Sequence, residues 1–219
     1  MKVGNSIVST VREVRFLTDN TFIIRFDRNN MPFHAGQYVS VGLKGLDQRR
    51  EYSIYSGESD DYLEILVREV LDGNVSLKLK DCRPGDELLV KGPMGGLKLR
   101  EDDRFEKKLV FIASGTGIAP FHSFLKSYPG IDYRLIHGVR YGEEAYEKDH
   151  YDLTRYVLCT TGDNKGNYNG RVTEYLQEKR SDPDERYYIC GNSRMIYSVY
   201  DILSKRGIPA EHISLEVYF

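Results

Sequence analysis

The hydrophobic rhythm of this chain changes near residue 107, and that change limits the folds open to it. Before it, residues 6–16, 21–26, 37–43, 51–55 and 62–70 form short stretches rich in β-branched and aromatic residues, punctuated by Gly, Asn and Asp. That is the pattern of a small antiparallel barrel or sandwich. A helix is predicted from Asn74, ending before Arg83-Pro84-Gly85-Asp86, and a further strand over 87–91. After the change, 108–113 is a buried-strand run, and 119–128 carries apolar residues at helical spacing. Strands are predicted at 133–138, 155–159 and 186–190, with helices at 143–150, 171–179 and 193–205. Alternating strands and helices imply a parallel sheet covered on both faces. The boundary is placed in the charged stretch 99–106, giving expected domains 1–100 and 104–219.

A chain of 219 residues is long enough for two such cores without disulfide or metal staples. Its 31 basic against 33 acidic side chains leave a net charge of −2, so no basic field exists to hold phosphate backbones, and nucleic acid is not expected as a partner. No apolar run approaches the roughly 18–20 residues that span a bilayer, and the opening residues lack a secretory signal's apolar stretch. No membrane insertion and a cytoplasmic location are expected. Cys82, Cys159 and Cys190 are odd in number and far apart, which argues against a disulfide framework and against zinc or iron–sulfur ligation. Any redox chemistry must then use an organic cofactor or reactive side chains.

Three segments carry candidate chemistry. The first is the glycine turn Ser114-Gly115-Thr116-Gly117 between a buried strand and a helix whose first turn accommodates Pro120. Glycines allow close backbone approach, and the helix start presents N–H groups and a positive dipole end to phosphate oxygens. The turn departs from the six-position Rossmann fingerprint and, taken alone, is also an ordinary tight connection. The second is Arg50-Glu51-Tyr52-Ser53, where strand alternation puts Arg50, Tyr52 and Ile54 on one side and Glu51, Ser53 and Tyr55 on the other. A cation, a ring and a hydroxyl there suit one extended ligand with a phosphate. The third is Gly73-Asn74-Val75-Ser76, which is either a plain helix cap or a second phosphate seat. Two such seats in two domains suggest two nucleotide cofactors.

In this order, Arg50-x-Tyr52-Ser53, Gly73-x-x-Ser76, Gly115-Thr116-Gly117-x-x-Pro120, Cys190-Gly191-Asn192 and an aromatic C-terminus, the chain resembles the ferredoxin–NADP reductase superfamily over almost its entire length. His137-Gly138-Val139-Arg140-Tyr141, Gly170-Arg171 and the ending Glu216-Val217-Tyr218-Phe219 are similar to its bacterial ferredoxin/flavodoxin reductase branch. The resemblance implies an N-terminal antiparallel β-barrel that binds FAD, followed by an α/β domain with a parallel sheet that binds a nicotinamide dinucleotide, the two reactive rings meeting at the interdomain cleft.

It further implies that Arg50 and the turn Gly73, Asn74, Val75 and Ser76 hold the FAD pyrophosphate, that Tyr52 lies against the flavin, and that Ser53 bonds near flavin N5. Val67 and Arg68 border the flavin, with Thr116 counted toward both cofactors. Tyr218 stacks on the flavin and moves aside for nicotinamide, Phe219 contacts flavin or adenine, and Glu216 is a link in proton transfer. For the dinucleotide, the resemblance points to Gly115, Thr116, Gly117, Pro120, Cys190, Gly191 and Asn192, with Cys190 orienting the nicotinamide and forming no covalent adduct. Members that use NADP often carry a Ser-Arg pair where Thr160-Thr161 stand here, with acidic Asp163 close behind. Arg140 and Arg171 match two other phosphate-binding positions. The balance favours NADP(H), with NAD(H) open.

A nicotinamide delivers two electrons and a ferredoxin accepts one, and a flavin converts between them. With no cysteine set for an iron–sulfur centre, the one-electron carrier is expected to be a separate ferredoxin or flavodoxin. The alternatives are an NADH-dependent flavin reductase component feeding an oxygenase or other carrier, and a nucleotide-binding regulatory subunit without turnover.

Overall fold

The computed structural model describes residues 6–70 and 74–218. The chain divides into two compact units. One holds the residues up to Lys98 together with His122–Ser127, and the other holds Leu99–Phe121 and Tyr128 onward.

The first unit is built from β1 (Ile7–Thr18), β2 (Thr21–Asp27), β3 (Tyr38–Leu43), β4 (Arg50–Ser53), β5 (Tyr62–Arg68), α1 (Asn74–Lys80) and β6 (Glu87–Met94). The strands form one antiparallel sheet in the order β4-β3-β6-β1-β2-β5. Its two ends meet where Ile54 bridges Ile65 and the Tyr55 N–H donates to the Glu64 carbonyl at 2.7 Å, so the sheet closes into a barrel. The two-residue period of a strand decides what fills it. Phe22, Ile24 and Phe26 of β2 and their partners Val67, Ile65 and Leu63 of β5 all point inward. α1 adds Val75 and Leu79 to that core. The unit also takes in the end of a helix from later in the chain, where the His122 ring stacks on Tyr55 at 3.8 Å and the Ser123 hydroxyl donates to the Ser56 carbonyl at 2.7 Å.

The second unit comprises α2 (Glu101–Glu106), β7 (Leu109–Ser114), a 3-10 turn (Gly115–Ile118), α3 (Ala119–Ser127, whose last residues belong to the first unit), β8 (Tyr133–Val139), β9 (Tyr156–Thr160), β10 (Tyr168–Asn169), α4 (Val172–Glu178), β11 (Arg186–Asn192), α5 (Ser193–Lys205) and β12 (Ile213–Tyr218). All six strands are parallel, in the order β10-β9-β8-β7-β11-β12. β7 is buried on both faces, as a central parallel strand requires. Val110 and Ile112 face the side covered by Leu176 of α4 and Val199 and Leu203 of α5. Phe111 faces the other way and stacks on Phe121 at 4.9 Å.

One expectation fails locally. Residues 143–150 form no continuous helix. They make two 3-10 turns, Gly142–Glu144 and Lys148–His150, because Glu147 takes a left-handed backbone (φ 49°) and the Glu144 carboxylate turns back to accept from the N–H groups of Arg140 and Tyr141. The charged stretch 99–106 also holds α2, whose Asp103 is buried and accepts from Arg186 Nε and the Tyr188 hydroxyl, both at 3.1 Å.

Candidate active site

In the first unit the barrel closes only at one end of β4. The ladder to β5 runs through Ile54 and Ile65, and among the described residues no bridge joins Arg50–Ser53 to the end of β5. The facing strand edges therefore offer backbone groups together with the exposed side chains of Arg50 and Arg68. Tyr52 and Ser53 lie on opposite faces of β4, as alternation demands. The Tyr52 ring is half-buried against the barrel core, and Ser53 is almost wholly buried. Loss of water pushes the Tyr52 hydroxyl up to about 12, against the opposing pull of the Arg50 charge, so the phenol stays protonated.

Val67 and Val75 both send their side chains into the core, so what they offer outward is backbone. The Ser76 hydroxyl accepts from the Val70 N–H at 3.0 Å and ties the first turn of α1 to the end of β5. Asn74 opens that turn and is exposed. Gly73 lies outside the described residues, as does Phe219. Two arginines and a helix start at an open strand edge match the charge of a nucleotide pyrophosphate.

In the second unit the strand order reverses between β7 and β11, and ligands of such sheets bind at the carboxyl ends of strands at this reversal. Both glycine segments lie there. Gly115 has φ +53° and begins the turn after β7, while Gly191 has φ +143° and stands near the end of β11. A Cβ on Gly117 would fall 2.7 Å from the Cys190 carbonyl carbon and from Gly191 Cα, and one on Gly191 would collide with the Ser114 hydroxyl. Only glycine allows this approach. Ser114 Oγ accepts from the Asn192 backbone N–H at 3.1 Å and from Asn192 Nδ2 at 2.9 Å, while Asn192 Oδ1 caps α5 by accepting from the Met195 N–H at 3.0 Å. The two strand ends are thus clamped together. Pro120 is buried near the start of α3, and Thr116 is half-exposed in the turn.

Parallel register brings three more expected residues together, with Cys190 opposite Glu216 and Asn192 opposite Tyr218. The thiol is fully buried, which raises its pKa well above the usual value, and the negative Glu216 raises it further against a hydrogen bond with Tyr218. Cys190 is therefore a neutral thiol and no nucleophile.

At the far side of the same sheet edge, Arg140, Thr161 and Arg171 are exposed. Arg140 lies 5.3 Å from the Tyr141 ring centroid, and the Arg171 backbone N–H donates to Glu174. Thr160 is different. It is buried, its hydroxyl donates to the Asp163 carbonyl at 2.7 Å and accepts from the Gly166 N–H at 3.2 Å, so it shapes the loop after β9. The Asp163 carboxylate is held below its usual range, chiefly by the Gly142 N–H. Sequence reasoning passed over Glu144 and attached no role of their own to Ser114 and His137. A histidine directly after the apolar pair Leu135-Ile136 of β8 was the available signal for His137, since a buried imidazole must find partners.

Residues 9–99 match the family model of the oxidoreductase FAD-binding domain, and residues 111–201 match that of the oxidoreductase NAD-binding domain. The chain belongs to the ferredoxin–NADP reductase superfamily. This superfamily member is 28% identical over 238 residues to a ferredoxin–NADP reductase of Azotobacter vinelandii, covering 94% of this chain and 92% of that one. It is equally 28% identical over 227 residues to the electron transfer component of toluate 1,2-dioxygenase of Pseudomonas putida, covering 96% of this chain and 67% of the relative. The crystal structure of a ferredoxin NADP+ reductase from Neisseria gonorrhoeae with bound FAD and NADP superimposes with a TM-score of 0.86 at 26% identity, over 99% of this chain and all of that one. As a member of this superfamily, the protein is an oxidoreductase that uses FAD and a nicotinamide dinucleotide. Among the described residues no helix is long and apolar enough to cross a membrane.

Proposed function

We propose that the protein exchanges electrons between NADP(H) and a separate ferredoxin or flavodoxin, with residues 1–100 as the FAD lobe and 104–219 as the dinucleotide lobe. The observation that carries this reading is the grouping of the glycine turn, Cys190, Glu216 and Tyr218 at the reversal of the parallel sheet. Bound FAD supplies the conversion between a two-electron hydride donor and a one-electron carrier. The chain does the positioning. Arg50, Gly73, Asn74, Val75 and Ser76 hold the FAD pyrophosphate, Tyr52, Val67, Arg68 and Thr116 border the flavin, and Ser53 supplies a hydroxyl beside N5. Gly115 to Gly117 and Pro120 seat the dinucleotide phosphates, and Cys190, Gly191 and Asn192 wall the nicotinamide. Tyr218 covers the reactive ring until the nicotinamide displaces it, Phe219 contacts flavin or adenine, and Glu216 is a link in proton transfer.

The cations Arg140 and Arg171, with the Thr161 hydroxyl, support the phosphorylated dinucleotide. Thr160, the fourth residue assigned to that end, acts through the loop it shapes. A second reading has NADH as donor and an oxygenase component as acceptor. It is favoured by the Thr160 hydroxyl being taken up by its own loop, by Asp163 nearby, and by the dioxygenase relative. Anaerobic mixing with NADPH and with NADH, followed by the flavin's visible absorbance, separates the two. Faster bleaching by NADPH, with turnover on ferredoxins or flavodoxins, is expected. Higher efficiency with NADH would establish the second reading, and bleaching by neither would refute both.

A further inference from the structure

We propose that His137 is a positioning residue for the dinucleotide: from beneath the glycine turn it holds the Gly115 carbonyl inward and so aims the Thr116 N–H outward. The inference rests on the reading that Gly115 to Gly117 seat the dinucleotide phosphates.

His137 lies on β8 opposite Ala113 of β7 and is fully buried. Its Nε2 is 2.8 Å from the Gly115 carbonyl oxygen and its Nδ1 is 2.9 Å from the Tyr156 hydroxyl. A carbonyl oxygen can only accept, so Nε2 carries the hydrogen, and Nδ1 is left to accept from the Tyr156 O–H. One tautomer satisfies both bonds. Burial drives the imidazole down to about 4, so the ring is neutral across ordinary pH and this arrangement is not lost by protonation.

The consequence follows from peptide geometry. In a trans peptide the C=O and the next N–H point in opposite directions. Gly115 has φ +53°, where glycine's freedom leaves the following peptide plane without strong local preference. An outside contact must therefore choose its direction. With the Gly115 oxygen anchored on a buried ring, the Thr116 N–H is turned away from the interior. That N–H belongs to the first turn of a helical segment, where donors have no intrahelical acceptor and suit phosphate oxygens. Tyr156 acts one step further back by fixing which nitrogen bears the proton.

Titration calorimetry of the FAD-loaded protein with NADP+ and with NAD+ tests this, on wild type, His137→Leu, His137→Gln and Tyr156→Phe, alongside 15N NMR of the histidine side chains. His137→Leu leaves a buried carbonyl without its donor and should weaken the preferred dinucleotide by about tenfold or more. His137→Gln, whose amide N–H replaces Nε2–H, should recover most of that loss, and Tyr156→Phe should fall between. FAD content should be unchanged and KM should rise more than kcat falls, which a general loss of folding would not produce. The wild-type His137 proton should lie on Nε2. Unaltered binding in His137→Leu, or a proton on Nδ1, would overturn the inference. If His137→Leu does not fold, Tyr156→Phe and the tautomer decide it. Wild type that binds neither dinucleotide would instead overturn the underlying reading, and this inference with it.

Discussion

Substituting Gly117 by Ala tests whether close backbone approach at the sheet reversal is what the site is built on. The added Cβ would meet the Cys190 carbonyl carbon and Gly191 Cα at 2.7 Å and the Cys190 carbonyl oxygen closer still, whereas ordinary van der Waals contact begins at 3.4 Å. Backbone on one side must therefore recede by about 0.7–1 Å, and none of these atoms is a flexible side-chain end. Gly117 has no left-handed backbone, so the effect is purely steric. Overpacking of this kind costs about 1–3 kcal/mol, which for a chain of this size lowers Tm by roughly 5 °C. The segment that moves carries Cys190. A misplacement near 1 Å at a reacting centre costs on the order of a hundredfold in rate, so anaerobic stopped-flow reduction by the preferred nicotinamide should slow by about tenfold to a hundredfold. Gly96→Ala is the control, since its Cβ would meet nothing within 4 Å and its φ lies outside the left-handed region. It should melt and react as wild type does. A Gly117→Ala protein with unchanged melting and unchanged flavin reduction would refute the steric argument.

Other outcomes are expected. Ser53→Val should slow hydride transfer by about a hundredfold while FAD retention changes little, and equal turnover would remove Ser53 from the mechanism. Asp103→Ala removes the buried carboxylate that accepts from Arg186, only 14% exposed, and from the Tyr188 hydroxyl. Urea denaturation should show a loss of about 1–3 kcal/mol, and a loss of a few tenths would show the pair to be dispensable. The depressed His137 pKa makes stability acid-sensitive: between 6.5 and about 4 the unfolded chain binds a proton that the native ring refuses, so stability falls with pH through that window, by up to about 3 kcal/mol. A His137→Gln protein should show a shallower acid limb, and superimposable pH profiles would exclude His137 as the cause. Iodoacetamide should leave Cys190 unmodified in the native protein and label it after unfolding, because the thiol is buried and neutral; native labelling would contradict that.

Much of this architecture is legible in the amino-acid sequence. The all-apolar run of β7 and the 3.6-residue spacing of 193–205 are strong local signals, and α5 spans those same residues. Residues 143–150 misled because helix-forming side chains gave no warning of the left-handed Glu147 or of Glu144 turning back onto Arg140 and Tyr141. α2 escaped because a charged six-residue helix has no apolar period, and Asp103 earns its burial from Arg186 and Tyr188, more than eighty positions away.

What the amino-acid order determined by itself was whatever depends on neighbours along the chain: strand and helix periods, the glycines, the hydroxyl and cationic side chains suited to phosphate, and the family those motifs share. Tertiary structure alone decided which distant residues meet. Parallel register set Glu216 beside Cys190 and Tyr218 beside Asn192. Packing sent the Thr160 hydroxyl into its own loop and left Arg140 and Thr161 exposed at the same edge. It also put the His137 ring under the Gly115 carbonyl. The physical reason is that hydrogen bonds and desolvation act over a few ångströms in space, whatever the separation in sequence.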